Sequence, residues 1–188
     1  MLRDILVISL LIICICLFTK SGIMADNGNE SADNSSTHGH ITKCDRVRCV
    51  CCKSDRLCLD RSYFNYVTGE EFHLPQDFKA TCSTKNCIYL IKCKQPQCQY
   101  QYGGHTTCMA SARIGTHKSS ILNGKGCKLL RKHFTKIHSI DDMMIMPIAQ
   151  FPANLNLKQR EEIEESYILK LNTLFPYGIN ARCKNHMF

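Results

Sequence analysis

Five side chains of the 188-residue sequence stand out for what they can do together: the phenols of Tyr89 and Tyr102, the guanidinium of Arg113, the imidazole of His117 and the carboxylate of Glu164. Such a set can grip an anionic oxygen, hold a hard divalent cation and move a proton near neutral pH. Arg113 and His117 are four residues apart, so on a helix they are stacked neighbours on one side. Glu164 lies near the centre of an arc made by Leu157, Ile163, Tyr167, Ile168, Leu171 and Leu174 at about 100° per residue. A carboxylate in the middle of a core-facing stripe is costly unless it is paired or metal-bound. An ion pair with Arg160, one turn earlier, is the structural alternative to a bound cation.

The elements that must position these groups are legible locally. Residues 87–91 are β-branched and aromatic and suit a buried strand that carries Tyr89. Residues 99–102 alternate Gln and Tyr, which predicts a second strand with Tyr100 and Tyr102 on one face, ended by Gly103 and Gly104. Thr106 or Thr107 is then expected to cap a helix in which Ala110, Ile114, His117 and Ile121 share a narrow arc. Residues 143–149 give a third strand, and Pro147, which cannot donate to a ladder, places it at an edge. Asn156 followed by Gln159 is a capping-box pattern opening a helix to about residue 173. Upstream, residues 61–78 predict a hairpin turning at Thr68 and Gly69 and leading into the main sheet. The expected class is α+β: a small three-stranded antiparallel sheet flanked by helices, behind an N-terminal Cys-rich extension.

Ile88-Tyr89, then Tyr102-Gly103-Gly104, then Arg113 with His117, then Glu164 with Tyr167 and Ile168, and finally the run 174–180 (Leu-Phe-Pro-Tyr-Gly-Ile-Asn) follow one another in an order that resembles the GIY-YIG nucleases. The version it is most similar to is the endonuclease domain of Penelope-like retroelements, over roughly residues 44–182. That resemblance implies a divalent-metal-dependent DNA endonuclease that nicks its substrate. Glu164 would hold Mg²⁺ or Mn²⁺, Arg113 would grip a non-bridging phosphate oxygen, and Tyr89 would lead as the base. Tyr102 and His117 would orient or deprotonate the water, with Asn180 as the closing residue. Three positions depart from the pattern: Cys87 stands before Ile88, Gly103 is central in the second motif, and His105 stands where a Gly-Glu-Thr turn is expected. A catalytically decayed, zinc-stabilised nucleic-acid-binding module is therefore the alternative, and a secreted disulfide-rich protein the second.

Fourteen cysteines pose a redox question: disulfides in a secreted chain, metal ligands or reduced thiols in an intracellular one. Cys44, Cys49, Cys52 and Cys58 have the density of a small zinc knuckle, in which the adjacent Cys51 and Cys52 cannot readily both serve one ion. Cys93 and Cys98, between the two tyrosine strands, combine with His133 and His138 as a second candidate zinc site pinning the hairpin to a later helix. The resemblance implies a similar Cys-Cys-His-His set.

The net charge is +8, and residues 81–140 contain ten Lys and Arg but no Asp or Glu. A run this one-sided repels itself unless an anionic partner neutralises it, and nucleic acid is the commonest such partner. Lys118, Lys125, Lys128, Arg131 and Lys132 are the candidate DNA contacts, with a lipid surface or a plain solvated face as the rivals. Length allows one domain plus extensions and leaves no room for a polymerase. Four segments are expected: a hydrophobic leader at 1–23, a polar linker at 24–40, a Cys-rich module and hairpin at 41–80, and the nuclease-like domain at 81–182. The apolar run 5–18 has the length of a signal-peptide core and is short for a span. A nuclear or cytoplasmic location is favoured, with secretion or membrane attachment following only if that leader functions.

Overall fold

The computed structural model describes residues 38–181, so the leader and most of the linker lie outside the described residues. The described residues begin with β1 (His40–Ile41), α1 (Val50–Lys53), β2 (Ser62–Asn65), β3 (Glu70–His73) and β4 (Lys79–Ala80). It continues with β5 (Cys87–Cys93), β6 (Tyr102–Thr106), α2 (Ala110–Leu122) and α3 (Lys128–Lys132). A single π turn, His133–Ile137, extends α3, and β7 (Met143–Gln150) and α4 (Leu157–Lys170) complete the order. The linker ends earlier than expected, because His40 already pairs in parallel with Lys79.

The architecture is α+β, with β5 between β6 and β7 in an antiparallel three-stranded sheet. Six of the seven residues of β5 are buried, as a central strand covered on both faces requires. α2 packs against β7 and α4 against β6. Pro147 lies in β7 at the sheet's edge, as its missing N–H demands. Leu57 partly covers that edge through a parallel bridge to Ile145. The hairpin β2–β3 turns as expected but forms its own two-stranded sheet and does not lead into the main one. It is tied to the end of α4 by the Asn65 side chain, which donates to the Lys170 carbonyl at 2.9 Å.

Three local expectations are corrected. The second strand runs from Tyr102 to Thr106, so Gly103 and Gly104 lie inside it and do not end it; Tyr100 precedes it. The reason is steric: a Cβ on Gly104 would sit 2.5 Å from the Tyr89 hydroxyl, so the glycine makes room for the ring across the ladder. Neither Thr106 nor Thr107 caps α2, whose N-cap is Met109 with no side-chain bond. Carbonyls of the loop after β4 do the work, Thr84 accepting from the Ala110 N–H at 2.9 Å and Cys82 from Ser111 at 2.8 Å. The capping box of α4 forms as read, with Asn156 and Gln159 bonded reciprocally, but the helix stops at Lys170 and Leu157 of the apolar arc is 56% exposed.

Candidate active site and two metal-ligand clusters

The polar cluster is built on β5 and α2. Tyr89, fully buried, reaches under Gly104 to meet the side of α2. Arg113 Nε donates to the Tyr89 hydroxyl at 2.8 Å, and His117 Nε2 lies 2.8 Å from the same oxygen. With one donor already on the oxygen, the phenol proton points to Nε2 of a neutral imidazole. Burial, followed by the charge of Arg113, lowers His117 to about 4, which keeps it neutral at physiological pH. Burial raises Tyr89 far above a free phenol, with Tyr102 adding to it and Arg113 opposing. Tyr102 packs edge-on against the same imidazole, centroids 5.5 Å apart, and burial followed by Glu164 pushes it up to about 12. Of the five side chains expected to converge, Tyr89, Tyr102, Arg113 and His117 meet directly.

Glu164 is placed differently from expectation in one respect. Its partner is His105, whose Nδ1 is 2.5 Å from Oε2, and Arg160 turns instead to the Leu155 carbonyl. The carboxylate is 20% exposed and acts through its charge on Tyr89, Tyr102 and Arg113. His105, which was only noted as a departure from the motif, therefore belongs to the site. Asn180 is buried and touches none of the reacting groups: its Oδ1 accepts from the Gly103 N–H at 2.8 Å and its Nδ2 donates to the Gly103 carbonyl at 2.9 Å. Its place is a positioning one, seating β6.

Two further constellations gather ligand atoms. Cys44, Cys49, Cys52 and Cys82 place their sulfurs within 4.8 Å of one another, and so do the donor atoms of Cys93, Cys98, His133 and His138. Four ligands around an ion with Zn–S of about 2.3 Å imply S···S of roughly 3.8 Å, and with an imidazole S···N of roughly 3.6 Å. The sulfurs stand at 3.3, 3.4 and 3.9 Å, and Cys98 Sγ lies 3.5 Å from His133 Nε2. Both sets can hold a tetrahedral ion and are compatible with zinc. Cys58 is corrected out of the first set: it is buried elsewhere, its N–H bonded to the Ile145 carbonyl. Cys82 takes the fourth place, 33 residues beyond Cys49. Arg46 lies over the sulfurs, 3.7 Å from Cys49 and 3.6 Å from Cys82, and also meets Ser111 Oγ at 3.3 Å. None of the eleven described cysteines is in a disulfide.

Of the basic side chains, Lys118 lies 3.5 Å from Asp141, and Arg131 bonds the Gly124 carbonyl. Lys125, Lys128 and Lys132 are exposed on the segment from the end of α2 through α3. No described helix is long and apolar enough to cross a membrane. Comparison of the chain with protein-family models, with curated proteins and with solved structures finds no match in any of the three.

Proposed function

We propose that the chain is a divalent-metal-dependent DNA endonuclease of GIY-YIG type, resembling that of Penelope-like retroelements. The observation that carries this reading is the hydrogen-bonded grouping of Tyr89, Arg113 and His117, with Tyr102 against the imidazole and the Glu164 carboxylate close enough to act on them. A guanidinium, a neutral imidazole and an acid held in one polar cluster are what phosphodiester hydrolysis uses. The donor chemistry fits a hard cation at Glu164, a half-buried carboxylate with one oxygen engaged by His105. Mg²⁺ or Mn²⁺ bound there would neutralise charge on the phosphate and on the departing oxygen.

The chain's own groups divide the remaining tasks. Arg113 offers its terminal nitrogens to a non-bridging oxygen while Nε stays on Tyr89. The desolvated Tyr89 phenol resists losing its proton outright, and Nε2 of neutral His117 already accepts its hydrogen bond, so the two would act as a relay, the water's proton passing to the phenol oxygen as the phenol proton passes to Nε2. Zinc in the two cysteine-containing clusters would have a structural part, fixing the knuckle and the hairpin to the core. The exposed cations of 125–132 supply phosphate contacts.

Nicking of supercoiled plasmid by zinc-loaded protein with Mg²⁺ tests this. Wild type should nick, and Glu164→Ala and His117→Ala should each lose at least about 100-fold while retaining DNA affinity. Wild type that binds DNA without nicking it would instead establish the non-catalytic binding module.

A further inference from the structure

At the connection between β5 and β6, a groove of about 670 Å³ is lined by three tyrosines, Tyr66, Tyr100 and Tyr177, and three glutamines, Gln95, Gln97 and Gln99. None of Tyr89, Tyr102, Arg113, His117 or Glu164 lines it. Its volume falls in the range of about 300 to 1,000 Å³ typical of ligand sites. Tyr100 is 45% exposed and Tyr177 62%, and Phe175, in an adjoining cavity, is 64% exposed, so several aromatic side chains have surface open to a ligand. Tyr100 also lines two smaller adjoining cavities, one bordered by Lys132 and Phe175, the other by Lys94. Singly exposed aromatics need no explanation, but three tyrosines lining one concavity do.

Charge decides between occupants. Neither acidic side chains nor Lys or Arg line the groove itself; the cations border the adjoining cavities, Lys132 in one and Lys94 in the other, where Asp60 is already paired with Lys92 at 2.5 Å. Lys94, Lys132 and Lys136 form no ion pair among the described residues, and Lys132 and Lys136 are exposed. The complement is an anionic chain with flat rings and edges that accept and donate hydrogen bonds. Unpaired nucleotides have that chemistry: rings stack on tyrosine, primary amides read base edges, and lysines follow the phosphates. A duplex offers only its backbone here, because its rings are already stacked on one another.

We propose that this groove binds single-stranded nucleic acid by stacking unpaired bases on Tyr100 and Tyr177, with Gln95, Gln97 and Gln99 at the base edges. The assignment rests on the nucleic-acid part of the nuclease reading and not on its chemistry. The strand carrying Tyr102 starts two residues after Tyr100, so the groove and the proposed active site are borne on one short stretch of backbone. The substrate this favours is DNA with an unpaired segment beside the cut.

Fluorescence anisotropy of zinc-loaded full-length protein, with a labelled oligothymidylate and a duplex of equal length, tests the groove. Tyr177→Ala should weaken oligothymidylate binding roughly tenfold and leave duplex binding unchanged, and adding Gln97→Ala should weaken it further. Both residues are exposed, so the fold should survive; circular dichroism identical to wild type checks this. Equal losses for both probes, no loss at all, displacement by a proline-rich peptide alone, or a dimer abolished by Tyr177→Ala would each overturn the proposal. Single-strand preference without plasmid nicking removes the catalytic reading only. Nicking with an unaltered Tyr177→Ala affinity removes the groove only.

Discussion

The sulfur-rich clusters and the tyrosine cleft solve opposite problems with buried polar atoms. In the cleft, donors face acceptors: Arg113 gives to Tyr89 and Tyr89 gives to His117, so the group is satisfied by its own members. At the four-cysteine cluster, like faces like, with three sulfurs within 3.4 Å of Cys82 or 3.9 Å of Cys52 and few hydrogens worth sharing. Such a set is compatible with a metal ion among the sulfurs, and Arg46 already brings a positive charge over them. The difference teaches which part of the molecule is closed by its own hydrogen bonds and which gathers ligands that could hold a metal.

Metal removal is the strongest way to break the comparison. Cys82→Ser should cost about 4 kcal/mol or more and one equivalent of bound zinc, whereas Cys58→Ser should retain the full stoichiometry. Atomic absorption with urea unfolding measures both, and retention of zinc by Cys82→Ser would refute the ligand set. The effect should also reach α2, because the Cys82 and Thr84 carbonyls receive its first N–H groups.

Acid tests the cleft instead. An unfolded imidazole titrates near 6.5, while burial and Arg113 hold His117 at about 4. Between those values the unfolded chain takes up the proton and the folded one does not. The stability contributed by neutral His117 is therefore full above about 6.5 and drains away as pH falls toward 4, by up to about 3 kcal/mol. Unfolding midpoints measured across that window should fall steeply for wild type and less steeply for His117→Gln.

The smallest expected effect is also the most local. Gly104→Ala drives a methyl into the Tyr89 hydroxyl and should cost about 2 kcal/mol, with zinc content unchanged. Urea denaturation and metal analysis of the one variant separate the two regions; loss of zinc would show that they are coupled.

Sequence patterns disclosed the parts whose determinants are close together. β5, the buried arc of α2, the hairpin at Gly69, the edge at Pro147 and the box at Asn156 all follow from neighbours within a few residues. The extent of β6 did not, because glycines inside a strand look like its end until the ring filling their place is seen across the ladder. Cys82 was hidden 33 residues from Cys49, and the His105 partner of Glu164 lies 59 residues away. Local spacing carries no trace of either. Burial of Glu164 was inferred from its apolar arc, yet only Ile168 of α4 is fully buried, so the arc marks a shallow flank and not a deep core.

Asn180 closes the free side of β6. β6 is an outermost strand, and at Gly103 its outward N–H and C=O are both taken by one carboxamide. That amide imitates a single residue of a missing neighbour, and by occupying the vacant rung it denies a docking place to strands from other molecules. The closing loop thereby acts as a plug against intermolecular zippering, guarding the very strand that carries Tyr102.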